Sequence, residues 1–73
     1  MARKAAVLIE KDEHGFYAWR PELKGCQSQG PTLEAVMANI KEAIELYLET
    51  LPSEERDVLL SREILTTAVE VNA

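Results

Sequence analysis

The sequence is poor in the residues that carry out chemistry. Its 73 residues include one cysteine, Cys26, and one histidine, His14. A single cysteine cannot form a disulfide within the chain, and one histidine without a Cys-x-x-Cys pair gives no zinc-binding pattern. No sequence signal brings His14 to Cys26, so we expect Cys26 to be a small packed side chain rather than a nucleophile. We therefore expect no catalytic residue, no metal and no other cofactor.

The acidic residues allow an alternative interpretation. Asp12, Glu13 and Glu22 could be read as an acid-base or metal cluster. They stand where turns are predicted, however, and polar residues are expected in turns for solvation alone. We prefer that explanation, and with it a protein that is not an enzyme.

Basic residues are also scarce. The chain has 8 Lys and Arg against 13 Asp and Glu, a net charge of −5. Residues 1–24 carry five basic and four acidic side chains, a sum of +1, and residues 25–73 carry three and nine, a sum of −6. Binding to a nucleic-acid backbone needs clustered positive charge, so we expect no direct nucleic-acid contact. A basic protein is the better electrostatic partner.

Long hydrophobic runs are missing too. The apolar run at residues 5–9 is far shorter than the ~20 residues that span a bilayer, and charge returns at Glu10. We expect a cytoplasmic protein that does not enter a membrane. Because a chain of this size buries only a small core, we also expect a homo-oligomer, a dimer or larger.

The strongest pattern is an amphipathic helix over residues 32–51. Thr32 follows the breakers Gly30 and Pro31 and is a suitable N-cap, and Pro52 limits the far end. At about 100° per residue, one arc of the helix is apolar and faces the core: Leu33, Val36, Met37, Ile40, Ile44, Tyr47, Leu48 and Leu51. The opposite arc is acidic: Glu34, Glu42, Glu45 and Glu49.

The remaining segments predict short strands. Alternation over residues 3–11 and 16–20, separated by a polar loop at 12–15, predicts a hairpin. A turn at 21–25 leads to a third strand at 26–29. After the helix, residues 53–61 predict a short helical turn and residues 64–71 a fourth strand. The predicted fold is one α+β domain, β-β-β-α-β, with the long helix on one face of the sheet.

Residues 16–49 resemble the HicB family of antitoxin-like proteins. The similarity rests on a set of residues at fixed spacing: Ala18, Pro21, Leu23, Gly25, Cys26, Gly30, Thr32, Leu33, Glu34, Ala35 and Asn39. The resemblance implies a partial ribonuclease-H-like fold without that enzyme's catalytic carboxylates. Family members typically neutralise a small ribonuclease, HicA, and many carry a second, DNA-binding domain. Only residues 72 and 73 follow the last predicted strand, so we expect no such domain. The chain departs from the usual family pattern at Arg20, Pro31 and Ala35.

Two candidate surfaces for partner binding follow. Tyr17 and Trp19 share one face of the second strand and are suited to a protein contact, because base stacking would require a basic groove. The glutamates of the helix either form an ordinary solvent-facing side of the helix or form a docking surface for a basic partner. The leading hypothesis is neutralisation of a HicA-type ribonuclease. The alternative is an orphan homo-oligomeric HicB-like domain that binds another protein or a small ligand.

Overall fold

The computed structural model describes residues 3–23 and 25–73. Three strands precede two helices: β1 (Leu8–Asp12), β2 (Gly15–Trp19), β3 (Gln27–Gly30), α1 (Leu33–Leu48) and α2 (Ser53–Ser61). The strands form one antiparallel sheet in the order β1-β2-β3. The α+β class predicted from the sequence is confirmed, as is the helical segment at 53–61. The likeness to ribonuclease H stays a prediction.

The hairpin between β1 and β2 forms where the polar loop was predicted. Asp12 pairs with Gly15, and the Asp12 carboxylate accepts a hydrogen bond of 2.8 Å from the backbone N–H of His14. This side-chain bond closes the turn locally. β1 is shorter than predicted, because it begins at Leu8 and residues 3–7 lie outside the ladder.

Helix α1 starts as the sequence predicts. The Thr32 hydroxyl accepts a hydrogen bond of 3.1 Å from the N–H of Ala35, and Glu34 lies in the first turn, at the positive end of the helix dipole. The helix ends at Leu48, and the three residues before Pro52 form turns instead. In those turns the N–H groups of Thr50 and Leu51 bond three residues back.

The core lies between α1 and the sheet. Its buried side chains come from both layers: Ala18, Leu23, Cys26, Val36, Ile40 and Ile44. Only part of the helical stripe is covered, since Leu33 at the N-terminal end of α1 and Met37 toward one flank of the stripe remain 43% and 52% exposed. The sheet has too few strands to cover the whole stripe.

The fourth strand predicted over residues 64–71 is absent from the structure. Residues 62–73 have no helix and no strand, and Leu65, Val69 and Val71 are exposed. The period-two pattern describes a segment able to form a strand, but a strand also needs an edge to pair with. In the part of the chain that the structure describes, the segment pairs with no strand edge.

Candidate interaction surfaces

The first candidate surface is an aromatic patch on β2, formed by Tyr17, Trp19 and the neighbouring Gln27. Side chains alternate along a strand, and Ala18 is fully buried toward α1, so Tyr17 and Trp19 point to the other face of the sheet. Their ring centroids are 5.4 Å apart, and the Tyr17 hydroxyl donates a hydrogen bond of 2.7 Å to the side-chain oxygen of Gln27. Neither aromatic ring belongs to the core cluster. The patch is therefore ordered, half-buried and open to a partner.

The second candidate surface is the acidic stripe on α1, which consists of Glu34, Glu42, Glu45 and Glu49. All four side chains are exposed, and none forms an ion pair with a described residue. Their negative charge is not neutralised locally, so it is free to attract a basic surface.

The structure places these two surfaces on opposite sides of the molecule. Helix α1 covers the face of the sheet that carries Ala18, and its own outer side carries the acidic stripe. The aromatic patch lies on the uncovered face of the sheet. One flat partner cannot contact both surfaces at once.

Arg20 is a buried residue that sequence reasoning noted only as a departure from the family pattern. It is 1% exposed, and its guanidinium bridges three segments. One terminal nitrogen donates to the carbonyl of Ala6 at 2.9 Å, and the other donates to the carbonyl of Leu59 at 2.9 Å and to the Glu22 carboxylate at 3.3 Å. Arg20 thus joins the residues before β1, the end of β2 and α2. No local pattern could have revealed this, because Ala6 and Leu59 are 14 and 39 residues away in sequence.

A third surface, also missed in the sequence, is an apolar groove of about 690 Å³ between residues 3–7, α1 and α2. Its apolar lining comes from seven side chains: Ala5, Val7, Met37, Ile40, Ile44, Leu48 and Leu60. Charged groups surround it, including Lys41, Arg56 and the ion pair between Arg3 and Asp57 at 2.7 Å. The exposed flank of the helical stripe was the signal that could have located it.

The chain is similar to UPF0150 proteins of several organisms. It is 47% identical over 65 residues to one from Helicobacter pylori, which covers 89% of this chain and 90% of the relative. A relative from Synechocystis is 53% identical over 53 residues, covering 71% of this chain and 67% of the relative. One from Archaeoglobus fulgidus is 53% identical over 47 residues, or 63% and 68% of the two chains. No solved structure shows a significant match.

A family profile described as HicB-like antitoxin of bacterial toxin-antitoxin systems matches residues 5–71. The chain belongs to the HicB-like antitoxin family. The resemblance seen in the sequence is confirmed, and membership supports a role in a toxin–antitoxin system with a toxin as partner. It also points to a protein without enzymatic activity.

Several residues of the HicB-like motif hold the sheet to the helix. The amide of Asn39 donates a hydrogen bond of 3.1 Å to the carbonyl of Gln29 on β3. Gly30 lets α1 start close to the sheet, because a Cβ there would lie 2.8 Å from the backbone nitrogen of Val36. Thr32 caps the same helix. These positions of the motif determine how the two layers meet.

The other motif residues shape the turn between β2 and β3. Pro21 begins the turn, and Leu23 is buried beneath it, with its N–H bonded to the carbonyl of Arg20 at 3.0 Å. Gly25 has a φ of +84°, a backbone angle that residues with a side chain rarely adopt. Cys26 follows, and its thiol is 3% exposed and 3.7 Å from the carbonyl of Ala43. Burial raises the pKa of the Cys26 thiol, which therefore stays protonated and weakly nucleophilic at neutral pH.

The carboxylates considered as a cluster do not come together. Asp12 and Glu13 lie at the hairpin, whereas Glu22 lies beyond the other end of β2, paired with Arg20. Within residues 3–23 and 25–73, no three His, Cys, Asp or Glu side chains are grouped as metal ligands. In the same residues, neither helix has the length and apolar character needed to cross a membrane.

Proposed function

We propose that this HicB-like protein is an antitoxin that neutralises a small basic HicA-type ribonuclease by covering its RNA-binding surface. It acts in the cytoplasm and contributes no catalytic group. The observation that carries the proposal is the acidic stripe on α1, four exposed glutamates without a described ion-pair partner.

Electrostatic complementarity supports this function. A ribonuclease must present positive charge to bind the phosphates of RNA. A rigid helix face with closely spaced carboxylates competes for that charge and speeds the encounter of the two proteins. The net charge of −5 adds a longer-range attraction of the same sign. The uncompensated charge of the acidic stripe makes it the better docking surface for this partner than the aromatic patch on the opposite side.

A second candidate function rests on the aromatic patch. Tyr17 and Trp19 are held in place by each other and by Gln27, and such ordered aromatic side chains dominate many protein interfaces. If the patch binds a partner other than the ribonuclease, the protein is an orphan homo-oligomeric HicB-like domain that contacts a different protein or a small ligand.

Charge reversal on the stripe tests the first function. The double variant Glu42→Lys with Glu49→Lys is expected to slow association with the ribonuclease by about 10-fold at low salt, because exposed charges act mainly on the on-rate. The dependence of the rate on salt should weaken as well. Glu45 is left unchanged because it also lines the apolar groove. Stopped-flow association rates across a salt series provide the measurement.

The matched control is Glu13→Lys with Glu55→Lys, two exposed glutamates on the hairpin and on α2. Both double variants raise the net charge from −5 by the same four units, to −1. Equal slowing in the two variants would show that only overall charge matters and would contradict docking through the stripe. Loss of ribonuclease binding on replacing Tyr17 and Trp19 by alanine, with the stripe variant unaffected, would contradict docking through the stripe as well. No association of the native chain with the ribonuclease would favour the second function.

A further inference from the structure

Residues 62–73, named the arm here, have the sequence of a strand without its contacts. Leu65, Val69 and Val71 stand at odd-numbered positions, with Thr67 between the first two, so they share one side of an extended chain. They are 85%, 76% and 73% exposed. Large apolar side chains on one continuous exposed face indicate an interaction surface. Apart from the half-buried Ile64, every residue of the arm is exposed. The radius of gyration of the chain is 13.9 Å, against about 11 Å for a compact chain of this length, as expected for an arm that extends from the body.

A surface complementary to the arm lies near the other end of the chain. Among the residues that the structure describes, β1 is an edge strand that pairs with β2 alone, so its outer side presents backbone groups without a partner in that part of the chain. The residues just before β1 include Ala5 and Val7, which line the apolar groove together with Met37 and Ile40 of α1. A strand added at this edge would gain backbone hydrogen bonds and would bury every second side chain in the groove.

The length and the charge of the arm also match those of the β1 edge and the apolar groove. The eight residues 64–71 span roughly 26 Å when extended, which is enough to follow β1 and the residues before it. Lys41 and Arg56 at the groove form no ion pair with a described residue, and the arm carries Glu63 and Glu70. The lining of the groove contains three basic and two acidic side chains in a chain of net charge −5.

We propose that the arm of one copy adds a strand to β1 of a second copy and covers its apolar groove, and that the second copy does the same in return. Each chain offers one arm and one groove, and in the single chain both remain uncovered because the arm extends away from the body. A two-fold exchange covers the groove and the outer side of β1 in both copies at once. The proposal does not depend on the toxin, because it uses neither the aromatic patch nor Glu42 and Glu49 of the acidic stripe.

The test uses the full chain and two double variants of the arm. Leu65→Asp with Val69→Asp places charge on the apolar side, and the matched control, Thr66→Asp with Ala68→Asp, places the same charge on the other side. We expect the native chain and the control to scatter light as a dimer, at twice 8.2 kDa. The first variant should weaken dimerisation by about 100-fold or more, since two apolar contacts are lost at each of two symmetric sites. Far-UV circular dichroism should show the same helix content in all three.

A second measurement identifies which chain donates the arm. In a dimer mixed from isotope-labelled and unlabelled copies, filtered NMR experiments should detect contacts between the methyl groups of Val69 or Val71 in one copy and those of Val7, Met37 or Ile40 in the other. Contacts found only within one chain would overturn the exchange. A mass of 8.2 kDa at all concentrations, or equal dimerisation of the two arm variants, would overturn it as well.

Discussion

Replacing Arg20 by alanine is expected to lower the free energy of unfolding by about 3 to 5 kcal/mol, as removal of one member of a buried charged network does. The truncation leaves the carbonyls of Ala6 and Leu59 without their donor and the Glu22 carboxylate without its nearest cation. A domain of this size has a total stability of roughly 4 to 11 kcal/mol, so the variant should lie near the limit of folding. Urea unfolding followed by far-UV circular dichroism measures the change.

Arg62 provides the matched control. Its guanidinium also approaches the Glu22 carboxylate, at 3.9 Å, but its side chain is 59% exposed. Arg62→Ala should therefore change the stability by no more than about 0.5 kcal/mol. Equal effects of the two substitutions would show that Arg20 does not join α2 to the sheet in the way its hydrogen bonds indicate.

The second large effect is expected at Gly30. A Cβ added there would lie 2.8 Å from the backbone nitrogen of Val36 and 3.1 Å from the Cβ of Ala35. These atoms belong to the first turn of α1 and cannot rotate away, so the helix would have to move off β3. We expect Gly30→Ala to lower the free energy of unfolding by about 2 to 3 kcal/mol, the cost of inserting a methyl group into a filled space.

Gly25 separates this steric effect from the backbone preference of glycine. It has a positive φ of 84°, but a Cβ there would meet nothing within 4 Å. Gly25→Ala should cost only the conformational strain, about 1 kcal/mol. Should Gly25→Ala prove the more damaging of the two in the same urea titration, the close approach of α1 to the sheet would not be the reason for Gly30.

The elements that could be predicted from the sequence are those defined by nearby residues. The hairpin follows from a polar loop between two alternating segments, and the start of α1 follows from the breakers before Thr32 and from the Thr32 hydroxyl. The period of the apolar residues correctly places Val36, Ile40 and Ile44 in the core. Each of these signals acts over a few residues and needs no distant partner.

The features that could not be predicted depend on contacts between distant segments. Arg20 is buried only because Ala6 and Leu59 supply acceptors from far along the chain. The apolar alternation of the arm indicates strand character, but it cannot specify which edge the arm pairs with. Over residues 3–23 and 25–73 the arm pairs with no edge of its own chain.

The candidate site shows the same limit. Projection onto a helix or strand shows which residues share a face of one element, and it grouped the glutamates of the acidic stripe and the two aromatic residues correctly. It does not show how the elements stack. The opposite placement of the two surfaces follows only from the packing of α1 on the face of the sheet that carries Ala18. The role of either surface in partner binding stays a prediction.

The most direct test of the proposed function is an RNA cleavage assay with the cognate HicA-type ribonuclease. The purified full chain is added in increasing amounts at constant ribonuclease and RNA, and the intact RNA is quantified. If the protein neutralises the ribonuclease, cleavage falls as the protein is added and stops at a molar excess. Undiminished cleavage at a molar excess would contradict neutralisation by this protein.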